Sequence, residues 1–197
     1  MIRRALSRER VKEAVEVLRL GGIVVFPTET SYGLAVDATN ARAVAKVAKL
    51  KGRPTEKTFP LIVSSTAMAE RYGHLRCLGR RLAKRYWPGA LSLVVEARKN
   101  SGLARGIIAK DGTIAVRVSS DSTARALSRG LGRPIVSTSA NKAGEPSLHD
   151  VSHLDFKVDF VLDVGRLPLR RPSTIVRIVE GDMTVLRQGG LRLPKEG

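Results

Sequence analysis

Cysteine is almost missing from these 197 residues: Cys77 stands alone, which excludes an internal disulfide framework and a thiolate zinc cluster. A lone cysteine of this kind reads as a small buried residue, not a nucleophile. Histidine is nearly as scarce. His149 and His153 have i, i+4 spacing, yet Ser152 and Asp155 beside them read as caps and turns, so solvated loop histidines are expected. Aromatic residues make up only 4% of the chain, too few for an obvious base-stacking platform. No apolar run approaches the roughly 18 to 20 residues that cross a bilayer. The basic start, Met1 to Arg10, lacks the apolar centre of a secretory signal, so a soluble, cytoplasmic protein without membrane contact is expected. Neither GxxxxGK[ST] nor GxGxxG occurs, which disfavours P-loop and dinucleotide folds. No Ser-His-Asp, Cys-His or paired-acid arrangement supplies a protein nucleophile.

Positive charge is abundant. Thirty-five Lys and Arg face 18 Asp and Glu, a formal net charge of +17 that attracts polyanions such as ATP, tRNA or ribosomal RNA. Arg76, Arg80, Arg81, Lys84 and Arg85 concentrate this charge on one candidate helix, which is either a solvated face or a phosphate-contacting one.

Apolar spacing predicts a helix over 8–20, capped by Ser7 and stopped by Gly21-Gly22, and another over 41–50 behind Asn40. Further helices are expected near 66–72, 75–86 and 122–130. Strands are expected at 23–26, 60–64, 91–97, 113–118, 134–136, 158–164, 174–180 and 183–187. Early alternation with a strand-rich end implies an α/β fold: a single domain over 8–190 with one twisted, mixed β-sheet flanked by helices.

Two hydroxyl-rich segments leave strand ends: Pro27-Thr28-Glu29-Thr30-Ser31-Tyr32-Gly33-Leu34 and Ser137-Thr138-Ser139-Ala140-Asn141. Loops in such places hold small polar ligands, although Thr28 and Thr30 could equally satisfy turn hydrogen bonds. Lys51, Arg53 and Lys57 at one helix end could neutralise phosphates or complement the helix dipole. Together with Trp87-Pro88-Gly89, Thr113-Ile114-Ala115-Val116-Arg117, Ser173-Thr174-Ile175-Val176 and Val185-Leu186-Arg187, these segments make an ordered set over about residues 10–190. That set resembles the YrdC-like L-threonylcarbamoyladenylate synthases, whose KxR and SxN pairs are matched by Lys51 and Arg53 with Ser139 and Asn141.

The resemblance implies a YrdC/RibB-like fold and the conversion of L-threonine, bicarbonate and ATP to threonylcarbamoyl-AMP and pyrophosphate, with Mg²⁺ bridging the phosphates. The product would pass to a threonylcarbamoyl transferase complex for t6A modification of tRNA at the adenosine beside the anticodon. By the same resemblance Thr30, Arg117, Ser137 and Ser173 would hold threonine; Arg53, Lys57, Thr113, Ser139, Ser147 and Arg187 would hold ATP; and Lys51, Arg53, Ser139 and Asn141 would position phosphate. Ser31, Ala35, Ile62, Arg177 and Gln188 depart from the family's usual residues, and the end near 197 implies the short, single-domain form. The alternative function is an RNA-binding factor of the same fold, gripping tRNA, ribosomal RNA or double-stranded RNA.

Overall fold

The structure, a computed structural model, describes residues 6–52, 58–142 and 144–194. Helix α1 (Arg8–Arg19) begins where the Ser7 hydroxyl accepts the Arg10 N–H at 3.2 Å and ends at Leu20, before Gly21 at φ +78°. Its stripe of Ala14, Val15 and Leu18 is buried. Helix α2 (Ala41–Leu50) is capped by Asn40 and closes on Lys51. Two helices follow, α3 (Thr66–Tyr72) and α4 (Arg76–Tyr86), and then α5 (Ser122–Leu131), which the Asp121 carboxylate caps. Helices α1 and α5 pack together at Gly130, where a Cβ would lie 2.8 Å from Val15.

The strands divide between two sheets where the sequence pattern suggested one. In the first, β1 (Val24–Pro27) and β2 (Tyr32–Ala35) form an antiparallel hairpin. Strand β7 (Thr138–Ser139) joins beside β2, and β8 (Phe160–Val161) runs parallel to β1. The second, mixed sheet has the order β10-β9-β4-β5-β3-β6. It comprises β3 (Leu61–Ile62), β4 (Leu91–Glu96), β5 (Thr113–Arg117), β6 (Ile135–Val136), β9 (Thr174–Val179) and β10 (Asp182–Arg187). The α/β, mixed-sheet reading therefore holds, with the strands shared between two layers.

Strand β1 shows how the layers are joined. Val25 faces the larger core with Leu34, Leu61, Leu93 and Val116, while Val24 and Phe26 face a smaller core with Leu18 of α1 and Leu127 of α5. This is the two-residue period of a strand buried on both sides, which is why 23–26 reads as an uninterrupted apolar run.

Several local expectations are corrected. The segment 27–34 is a hairpin, not a free loop, because the Thr28 hydroxyl makes a tight turn. It accepts the Thr30 and Ser31 N–H groups and donates to the Ser31 carbonyl, after which buried Tyr32 and Leu34 return as β2. Cys77 is exposed, since α4 buries Leu78, Gly79 and Ala83 instead. His149 is half-buried rather than solvated, its Nδ1 enclosed without a hydrogen-bond partner among the described residues.

Candidate active site

A cavity of about 430 Å³ opens between the two sheets. The first sheet contributes the Thr28–Gly33 turn and β7, and the second contributes Ser92 and Val94 of β4, Ala115 and Arg117 of β5, Ile175 of β9 and Arg187 of β10. Thr30, Arg117, Ser137 and Ser173, the residues expected at an amino-acid subsite, all line it. So do Ser139, Ser147 and Arg187 from the expected nucleotide set. Sequence positions from 28 to 187 thus converge on one space, as sheet edges do when loops leave them on the same side.

Arg117 closes β5 inside this cavity. Its Nη1 donates to a Glu29 carboxylate oxygen at 2.9 Å, and both side chains are only 8% exposed. Burial pushes the guanidinium below its ordinary value, and the opposing carboxylates of Glu29 and Asp121 hold it up. Opposite, Arg187 donates to the Ser173 carbonyl at 2.8 Å and hydroxyl at 3.0 Å, and Ser173 lies 3.2 Å from the Ser92 hydroxyl. Burial also lowers Arg187, and the Arg117 charge adds to that shift. Two guanidiniums that sense one another, over hydroxyls and with no carboxylate among the described lining residues, make a seat for an anion.

Lys51 lies behind this floor. Its ammonium donates to the Ser139 carbonyl at 2.6 Å, the Asn141 carbonyl at 2.6 Å and the Asn141 side-chain oxygen at 3.1 Å. The Ser139 hydroxyl meets the same Asn141 oxygen. Asn141 faces a neighbouring cavity of about 490 Å³, with Ser147 common to both. Thr113 lies outside the lining; it is buried at the start of β5, and its hydroxyl donates to Asp111 at 2.7 Å. Arg53 and Lys57 lie outside the described residues. Among the departures, Arg177 pairs with Asp111 at 2.9 Å. On α4, Arg76 and Arg80 pair with Glu96 and Glu70, while Arg81, Lys84 and Arg85 stand exposed away from the cavity.

Glu29, Ser92 and Ser119 were given no role from sequence. Ser92 carried a signal, since a hydroxyl between Leu91 and Leu93 in an apolar strand must face something polar or open. Gly189 is a second such position. A Cβ there would fall 2.1 Å from the Pro172 carbonyl oxygen and 2.5 Å from the Ser173 carbonyl carbon. Gly189→Ala must displace the wall that carries Ser173, so we expect about 1–3 kcal/mol of destabilisation in thermal unfolding. Ligand binding in the cavity should weaken with it; an unchanged melting curve would refute this reading of the close approach.

Fold and site together define an α/β protein with a hydroxyl- and guanidinium-lined cavity between two sheets. Residues 16–189 match the family profile Sua5_yciO_yrdC, described as Telomere recombination. The chain is 34% identical over 189 residues to a threonylcarbamoyl-AMP synthase of Bacillus subtilis, covering 92% of this chain and 54% of that protein. To the same-named protein of Thiobacillus denitrificans it is 35% identical over 182 residues, covering 90% of this chain and 96% of that one. A crystal structure of P. abyssi Sua5 complexed with L-threonine superposes with a TM-score of 0.88 at 31% identity, covering 96% of this chain and 57% of that chain. The chain thus spans about half the length of some relatives and nearly all of others. It belongs to the Sua5/YciO/YrdC family. Among the described residues, no helix is long and apolar enough to cross a membrane.

Proposed function

We propose that this protein joins L-threonine, bicarbonate and ATP into threonylcarbamoyl-AMP, releases pyrophosphate, and supplies the product to a transferase complex that makes t6A in tRNA. One observation carries the reading: the buried Arg117 guanidinium, the more exposed Arg187 guanidinium and a ring of hydroxyls converge on a single inter-sheet cavity. The relatives named threonylcarbamoyl-AMP synthase, and the L-threonine complex of a structural neighbour, support this choice of substrate class.

The threonine carboxylate meets Arg117, with Thr30, Ser137 and Ser173 supplying hydroxyl partners. The threonine amine nitrogen bonds to the bicarbonate carbon and water is lost, which leaves a carbamate. A carbamate oxygen then attacks the α-phosphorus of ATP, the bond to the bridging oxygen breaks, and pyrophosphate leaves with that electron pair. Arg187, Ser139 and Ser147 flank the nucleotide, while Lys51 and Asn141 hold the loop beneath it. No covalent enzyme intermediate is needed; positioning and electrostatics suffice. Mg²⁺ is compatible with this donor set: hydroxyls and guanidiniums suit an ion carried by triphosphate oxygens and water rather than one held by the protein.

Purified protein with ATP, Mg²⁺ and bicarbonate should release pyrophosphate only when L-threonine is added. The exposed α4 cations support a second reading, contact with an RNA backbone. Steeply salt-dependent RNA affinity without threonine-dependent pyrophosphate release would select it.

A further inference from the structure

We propose that Glu29 is a positioning residue of the amino-acid subsite, a buried carboxylate that straps one sheet to the other and aims the Arg117 guanidinium into the cavity. The inference rests on reading Arg117 as the partner of the substrate carboxylate.

Glu29 sits in the β1–β2 turn of the first sheet, whereas Arg117 ends β5 in the second. Their 2.9 Å ion pair spans the gap in which the cavity lies. The second Glu29 oxygen receives the Ser119 hydroxyl, and Ser119 Oγ in turn accepts the Asp121 N–H at 3.1 Å. Asp121 is the cap of α5, so both carboxylate oxygens are fixed by the end of β5 and the chain leading into the next helix. Glu29 does not line the cavity, while Arg117 does. The carboxylate therefore acts through Arg117 and not on the ligand.

A guanidinium is a rigid plane of five donors. With Nη1 committed to Glu29, that plane can no longer spin, and its remaining donors keep one direction. An amide at position 29 could still accept one hydrogen bond but would not offset the charge of a desolvated arginine. The pair also fixes the width of the cavity, because its two members belong to different sheets.

The test uses Glu29→Gln in the full chain. L-threonine affinity by calorimetry should fall roughly 10- to 100-fold, the loss expected for a misaimed charge-assisted contact. The KM for ATP should change less than about 2-fold, smaller than the loss of a single hydrogen bond. Adding Glu29→Gln to Arg117→Ala should cause no further loss, because a residue that acts only through another is silent once that other is gone. Side-chain NMR of nitrogen-labelled protein should show restricted Arg117 Nη groups in the wild type and averaged ones in Glu29→Gln. If Glu29→Gln does not fold, Ser119→Ala gives the smaller effect in the same direction. Wild-type threonine affinity with restricted Arg117 in Glu29→Gln would overturn the proposal, and so would equal losses for threonine and ATP. A wild-type protein that binds no threonine would refute the reading of the cavity instead, and the NMR comparison would still decide the role of Glu29.

Discussion

Replacing Arg117 by methionine is expected to reduce threonine-dependent turnover by roughly 1000-fold, the scale for removing a charged group that both binds and orients a substrate. Methionine keeps much of the stem volume and none of the donors. It leaves Glu29, 8% exposed, without its counter-charge, and breaking a buried pair in this way costs about 3–5 kcal/mol of stability. The two losses can be separated. Glu29→Gln combined with Arg117→Met removes the stranded carboxylate and should recover part of the stability, while turnover stays lost. Arg117→Lys should also fail, because a point charge cannot face Glu29 and a substrate carboxylate at once as a planar fork does. Steady-state kinetics and thermal unfolding on the three variants check this. Turnover within tenfold of wild type in Arg117→Met would remove the arginine from the site.

Lys51→Met is the second large effect. The ammonium is 6% exposed and meets three oxygens of the Ser139–Asn141 segment, so its removal takes a donor from two carbonyls at once and leaves the Asn141 amide oxygen only the Ser139 hydroxyl. Unsatisfied buried acceptors of this kind cost about 3 kcal/mol together. For a chain of this size that corresponds to about 6–12 °C in Tm. The segment should also move, because its pairing with β2 is short. In the proposed reading Ser139 and Ser147 flank the nucleotide, so the KM for ATP should rise with the loss of stability. Lys51→Arg should not restore either property, since a guanidinium cannot point three donors at a tight cluster as an ammonium can. A Lys51→Met protein that melts like the wild type would contradict the tether. Phosphate positioning would then rest on direct contact alone.

Helix ends were legible in the sequence because caps are local. Ser7 and Asn40 each bond an amide three residues away, and Gly21 supplies the left-handed backbone after α1, whereas the Asp121 cap and the Gly132 stop of α5 went unread. The division into two sheets was not legible, because it depends on which strands pair. The partners β1 and β8 lie more than a hundred residues apart, and β3 and β7 are two residues long. The Thr28–Ser31 turn remained one of two alternatives for a different reason. A hydroxyl that bonds its own turn and one that bonds a ligand have the same sequence signature, and Thr28 and Thr30 line the cavity while bonding each other within the turn.

Much of the candidate site was legible as motifs. Its supports were not, since Glu29 with Ser119 and Lys51 with Asn141 are each joined across about ninety residues. Nothing in a single chain's spacing records such a contact.

The most direct test of the central claim is mass spectrometry of the adenylate formed from ATP, Mg²⁺, L-threonine and isotopically labelled bicarbonate. The account predicts threonylcarbamoyl-AMP that carries the bicarbonate label, appears in step with pyrophosphate, and is absent without threonine. Folded protein that yields no labelled adenylate, or that splits ATP equally well without threonine, would contradict it.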